Sequence, residues 1–311
     1  MKNKLCEIIG CQYPIIQGAM QWVSDTSLVS AVSNAGGFGV LASADAQAED
    51  IRKEIKQTKA LTDKPFAVNI ALISKTAEDV FKVVLEEGVP FVALTAGNPK
   101  PYIPYLIEAG IPFFGVVATV KQAAKMEEAG ASFVVVEGME AGGHIGEMTS
   151  MSFIPQARDV LSIPLVAAGG ISDGRGMAAA FALGADGIQM GSRFLLANEC
   201  NVHENFKAKL LQASSSDSVV TGRLSNHAVR CIANDLTKAY QEQEQSKSSE
   251  LVSLGKGAAY RAAVEGDMET GSIMAGQSLD LLTKESSAKE IIEETINQYN
   301  EVIASLSKIE L

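Results

Sequence analysis

Eight short apolar runs, rich in β-branched or aromatic residues, recur along the first two thirds of the chain. They are YPIIQG from Tyr13, GFGVLA from Gly37, PFAVNI from Pro65, PFVALTAG from Pro90, PFFGVV from Pro112, SFVVVEG from Ser132, IPLVAAGG from Ile163 and DGIQMGS from Asp186. Their starts lie about 25 residues apart, the length of one strand, one helix and two loops. The segments between them, such as AEDIRKEIKQTKAL, AEDVFKVVLEEG and GRGMAAAFALGA, carry helical periodicity, and several end in glycine, a common helix stop. Near-continuous apolar strands alternating with helices imply a parallel sheet covered on both faces. Eight units favour an α/β fold closed into a (β/α)8 barrel over an open doubly wound sheet of five or six strands.

The beat then stops. From about Asn198 to Arg261 no strand-like run stands out, and polar QEQEQSKSSE separates helical stretches. This predicts a barrel over 1–197, a mostly helical inserted substrate-binding domain over 198–265, and a Gly-rich loop (GDMETGSIMAGQ) with a C-terminal helix over 266–311 returning to the barrel. In that helix Ile292, Ile296, Tyr299, Ile303 and Leu306 form one stripe, suited first to packing on its own domain and second to a homodimer contact.

Composition narrows the function classes. With 47% apolar and 20% charged residues the chain is globular, and a net charge of −11 argues against nucleic acid as a partner. Within His203–Arg261, however, eight basic residues face six acidic ones, which suits an acidic protein partner. Cys6, Cys11, Cys200 and Cys231 lack metal-ligand spacing and read as reduced cytoplasmic thiols, so no metal centre is expected from them. The longest uncharged stretch, Thr26–Ala44, is too polar to span a membrane, and Glu7, Gly10 and Gln12 break any signal-peptide core.

In such a barrel the ligand sits at the C-terminal ends of the strands. The seventh run ends in Ala168-Gly169-Gly170 and the eighth in Gly191-Ser192. Side-chain-free backbone there lets amides close on phosphate oxygens, and the loops after strands seven and eight are the usual phosphate site. The sixth run leads into EGMEAGGHIG, where Gly142 and Gly143 precede His144, an imidazole at the mouth suited to proton transfer near neutral pH. Glu137 and Glu140 are either a working carboxylate pair or hydrogen-bonding anchors of that loop; His203 and His227 read as capping or packing residues. Gln17-Gly18-Ala19-Met20 and Asn69 lie on the same rim, where small residues admit a flat ring and an amide can pair with its edge. FMN has both such a ring and a phosphate; a non-redox barrel binding another phosphorylated metabolite fits these spacings too.

At YPIIQGAM, AVSNAGGFGVL, KPFAVNI, AGNP, EGMEAGGHIG, IPLVAAGGI, QMGSRF, HAVR and GSIMAGQ the sequence resembles the FMN-dependent enoyl-acyl carrier protein reductase II family, sister to the nitronate monooxygenases. The resemblance spans nearly the whole chain. It implies reduction of a trans-2-enoyl thioester carried on acyl carrier protein by NADH or NADPH, the last reduction of a bacterial fatty acid elongation cycle, in a cytoplasmic homodimer, with a monovalent cation as a candidate further ligand. Oxidation of alkyl nitronates with O2 is the sister activity. By position, Gly169, Gly170, Gly191 and Ser192 would hold the phosphate, Gly18, Met20, Asn69 and Glu137 would contact the ring or ribityl chain, and Ala19, Gly142, Gly143, Ala168, Met274 and Gln277 would complete the cofactor-binding set. His144 would be the catalytic histidine. Ala19 stands where the reductases usually carry glycine.

Overall fold

The computed structural model describes residues 3–225, 228–246 and 254–309. Eight parallel strands close into a barrel: β1 (Ile15–Gln17), β2 (Phe38–Ala42), β3 (Ala67–Ala71), β4 (Phe91–Thr95), β5 (Phe113–Val117), β6 (Phe133–Glu137), β8 (Leu165–Ala168) and β9 (Gly187–Met190). Closure comes from β1 pairing with β9, with Ile16 opposite Gln189. The eight expected strands are therefore the eight staves, in the expected order.

Pleat alternation sorts each strand into two faces. Ile15, Val68, Val92, Val134, Leu165 and Ile188 point outward into the core shared with the helices. Ile16, Phe38, Phe91, Phe114, Phe133 and Val166 point inward, where Phe114 and Phe133 stack with ring centroids 4.3 Å apart. The N-terminal end of the barrel is plugged by α1 (Lys4–Ile9), whose Leu5 and Ile9 are buried among these inward residues. Each such side chain contributes about 1.5–3 kcal/mol on burial.

The intervening helices are α2 (Thr26–Asn34), α3 (Ala48–Leu61), α4 (Ala77–Glu87), α5 (Ile103–Glu108), α6 (Val120–Glu128), α7 (Ser150–Val160) and α8 (Gly174–Ala182). Asp25 caps α2 and Asp173 caps α8, each carboxylate accepting from two first-turn amides. The C-terminal helix α12 (Ala288–Leu306) starts in a Ser287–Glu290 capping box and lies across α8. The crossing is close because Gly174 has no side chain: a Cβ there would strike the backbone of Thr295 and Tyr299. Ile292 is buried and Ile296 and Tyr299 pack against the same core, so the first half of the stripe serves its own domain; Ile303 and Leu306 are exposed.

The inserted segment differs from expectation in one respect. Besides α9 (Glu204–Gln212), α10 (Asp235–Ser246) and the short α11 (Ala258–Tyr260), it holds β10 (Ser218–Thr221) and β11 (Val229–Ile232). With β7 (Gly143–His144) these make an antiparallel sheet of order β10-β11-β7. The runs SVVT and VRCI are only four residues long, and neither has the apolar length that marks a buried barrel stave. Gln241–Ser246 of the polar stretch continue α10, and its remainder lies outside the described residues. Among the described residues no helix is long and apolar enough to cross a membrane.

Candidate active site at the barrel mouth

One pleat beyond the apolar inward layer, the staves turn polar. Asn69, Thr95, Glu137 and Gln189 line a cavity of about 1150 Å³ at the C-terminal mouth. The Thr95 hydroxyl donates to Asn69 Oδ1 at 3.0 Å, which leaves the Asn69 amide group as a donor toward the cavity. Gln189 packs against Gly18, and Gln17 Nε2 donates to the Gly18 carbonyl and to Ser24 Oγ (2.8 Å), fixing the Gly18–Met20 rim. Sequence reasoning missed Gln189; its signal was the alternation of DGIQMG, which turns Ile188 and Met190 to the helices and Gln189 inward.

The two glycine loops meet on one side of this cavity. Gly169 and Gly170 have φ of +97° and +73°, left-handed backbone that favours glycine, and a Cβ on Gly169 would strike the backbone of Gly138. Among the described residues the amides of Gly169, Gly170, Gly191 and Ser192 donate to no protein acceptor. Ser192 Oγ accepts from the Gly276 amide (2.9 Å), and Ser172 and Ser278 share a hydrogen bond of 2.5 Å, so the returning C-terminal loop is laced to both glycine loops. Clustered unused amides of this kind are what a phosphate needs.

The EGMEAGGHIG segment is held from below and above. Glu140 is an anchor: its carboxylate accepts from the Ser150 amide (2.9 and 3.1 Å) and hydroxyl (3.0 Å) at the start of α7. Gly142 crosses the Ala275–Gly276 backbone so tightly that a Cβ would overlap it. His144 sits on β7, opposite Val229 of β11, with Ile145 N donating to Ala228 O at 3.0 Å. The imidazole-bearing residue is thus placed by the inserted segment, a connection that sequence periodicity did not show. Buried Arg230 secures it further, donating to the Met139 carbonyl (3.1 Å) and Ser218 Oγ (3.0 Å).

The cavity gathers Gly18, Ala19, Met20, Asn69, Glu137, Gly142, Gly143, His144, Ala168, Gly169, Gly170, Gly191, Ser192 and Met274. Gln277 is exposed and lies outside that lining, its amide donating to the Glu140 carbonyl at 2.9 Å. His203 caps α9 through Nδ1, which accepts from the Asn205 amide (3.1 Å); His227 lies outside the described residues. No three His, Cys, Asp or Glu side chains converge as a metal set among the described residues.

Glu137 stands deep in the cavity without a cationic partner, and loss of hydration pushes its carboxyl up to about 8. A carboxyl whose folded pKa lies above its unfolded value costs stability as pH rises between the two, because the unfolded state gives up its proton first. In flavin-free protein, Glu137→Gln is therefore expected to match wild type near pH 5 and to exceed its Tm by roughly 2–5 °C at pH 8. Thermal melts across that range check this; a constant difference refutes it.

The nitronate monooxygenase family model matches residues 2–84 and 78–298. The chain belongs to that family. It is 42% identical to the solved structure of FabK from Thermotoga maritima, with a TM-score of 0.96 and 99% of each chain covered. It is 31% identical to a probable nitronate monooxygenase of Staphylococcus saprophyticus, over 97% of this chain and 99% of that one. A Mycobacterium tuberculosis hydroxy-methyl-oxo-octahydroindene-carboxyl-CoA dehydrogenase is 36% identical over 79% of this chain and 70% of its own. These names share redox chemistry, and the family makes this chain an oxidoreductase.

Proposed function

We propose that the protein is an FMN-dependent trans-2-enoyl-acyl carrier protein reductase drawing on NADH or NADPH. The observation that carries this reading is the full-length likeness to FabK, at 42% identity and TM-score 0.96. The site fits the cofactor. Unused amides at Gly169, Gly170, Gly191 and Ser192 suit its phosphate, the small rim at Gly18 and Ala19 suits a flat ring, and the Asn69 amide suits a ring-edge acceptor.

When bound, the flavin supplies hydride transfer between the nicotinamide and the β-carbon of the enoyl thioester. The chain's residues do the rest. The glycine amides hold the phosphate, and Asn69 orients the ring. His144, held at the rim by β11, stabilises negative charge on the thioester oxygen and delivers a proton to the α-carbon. The acidic carrier would approach over the inserted segment, where Arg223 and Lys256 are exposed.

The test is anaerobic. Flavin in the purified protein should bleach with NADH or NADPH and regain its colour with a crotonyl thioester. The family match favours a second reading, oxidation of alkyl nitronates with O2. Colour returning only with O2, together with nitronate turnover, would replace the first reading with the second, and protein lacking flavin altogether would point to a non-redox phosphate ligand.

Arg230→Met keeps the apolar stem and removes the donors to Met139 and Ser218. Misplacing a reacting group by an ångström costs up to about a hundredfold. Enoyl reduction is expected to fall roughly tenfold or more with flavin content unchanged; equal turnover in the variant would show that Arg230 does not position His144.

A further inference from the structure

At the closed end of the barrel, opposite the cavity, two thiols lie side by side. The chain leaves α1 through Gly10, whose φ of +73° reverses its direction and whose amide donates to the Cys6 carbonyl at 2.9 Å. The reversal brings Cys11 Sγ to 3.5 Å from Cys6 Sγ. We propose that Cys6 and Cys11 are an oxidation site, a dithiol that hydrogen peroxide converts to an intramolecular disulfide. A disulfide bond is about 2.05 Å long, so the sulfurs need only close by about 1.5 Å, within reach of side-chain rotation.

The surroundings assign the roles. The single Cys11 thiol proton is shared between Cys6 Sγ (3.5 Å) and the Tyr13 carbonyl (3.0 Å), while Cys6 Sγ has the more distant Gln12 carbonyl, at 3.8 Å, as an acceptor of its own. The hydrogen bond from Cys11 holds the Cys6 thiol below its usual range, and the same bond together with burial holds Cys11 above it. Because the Cys11 thiol is the donor and Cys6 Sγ the acceptor of that contact, Cys6 is the nucleophile and Cys11 the resolving thiol. Both are only half-buried, within reach of a molecule as small as peroxide. Cys200 and Cys231 are buried, and desolvation pushes each up to about 11, so they serve as internal controls.

In the first step the Cys6 thiolate attacks one peroxide oxygen: an S–O bond forms, the O–O bond breaks, and the departing hydroxide takes up a proton as water. In the second, Cys11 gives up its proton and attacks the Cys6 sulfenic sulfur: the S–S bond forms, the S–O bond breaks, and a second water leaves. Two thiols lose two electrons and two protons, and one peroxide becomes two waters. The proposal is independent of which reaction the barrel mouth performs.

Trypsin releases both cysteines in one peptide, Leu5–Arg52, which allows a direct test on the full-length reduced protein. After native peroxide treatment, denaturation and alkylation, that peptide should carry no alkyl group, weigh two hydrogens less, and regain two alkylation sites with dithiothreitol. Alkylation of Cys200 and Cys231 should be lost at least about tenfold more slowly. Cys11→Ser should trap a dimedone adduct on Cys6, whereas in Cys6→Ser the remaining Cys11 should stay alkylatable. Two alkyl groups persisting on the wild-type peptide, or equal loss at Cys231, would overturn the proposal.

Discussion

Gly191→Asp is expected to yield a folded protein without flavin. The position suits such a test because its backbone is not left-handed and a Cβ there meets nothing closer than Met20 Sδ at 3.7 Å, so the new side chain enters the cavity at little structural cost. Its carboxylate would then stand among the amides of Gly169, Gly170 and Ser192 in place of the phosphate. At about 4 Å and an effective dielectric near 20, each pair of unit charges repels by about 4 kcal/mol, close to a thousandfold in affinity. Gly170→Asp should lose flavin too. There, however, φ is +73° and the Cβ would press on Glu140 at 3.2 Å, so folding is also taxed. Gly191→Ala adds bulk without charge and should retain part of the flavin. Visible absorbance against protein concentration reads the result, with circular dichroism as the folding control; stoichiometric flavin in Gly191→Asp removes the phosphate from these loops.

What the sequence disclosed and what it hid follow one physical rule. A barrel stave is buried on both faces, so it must be apolar along its length, and runs such as FVVVE of β6 announce themselves. The glycine loops were legible because backbone that packs against other backbone cannot carry a Cβ, as at Gly169 over Gly138 and at the crossing of Gly142 with Ala275–Gly276, and Gly191 lines the same cavity with room where its Cβ would lie. By contrast β10 and β11 are four residues long, β10 mostly half-buried and β11 carrying a buried arginine among its apolar residues, and their meaning comes from β11 pairing with Gly143 and His144 from a distant part of the chain. No local period encodes such a contact. Arg230 was hidden for the same reason: an arginine in a polar segment reads as solvated until its partners, Met139 and Ser218, are brought to it. Glu140 shows the reverse. Its spacing from Glu137 left a carboxylate pair and a loop anchor equally open, and its hydrogen bonds to Ser150 select the anchor and leave Glu137 without it as a partner.

His144→Ala should separate the two halves of the catalytic cycle. The strand that carries His144 is paired through its main chain, with Gly143 against Arg230 and the Ile145 amide on Ala228, and these contacts do not depend on the side chain that is replaced. Flavin content and the affinity for the phosphate loops should stay at wild-type level. Reduction of the flavin by the nicotinamide requires no proton from the protein rim and should change by less than about tenfold. On the proposed reading, reoxidation by a crotonyl thioester would end in charge on the thioester oxygen and an α-carbon to be protonated, and losing a group that would answer both should slow it by about 10²–10⁴-fold. His144→Gln supplies a discriminating second variant, since an amide can still donate a hydrogen bond to the oxygen and cannot deliver a proton. If stabilising the oxygen dominates, the glutamine variant recovers much of the lost rate; if proton delivery dominates, it is as slow as alanine. Stopped-flow traces of each half-reaction measure all three proteins, and an oxidative half-reaction unchanged in His144→Ala would take the imidazole out of the chemistry and leave solvent as the proton source.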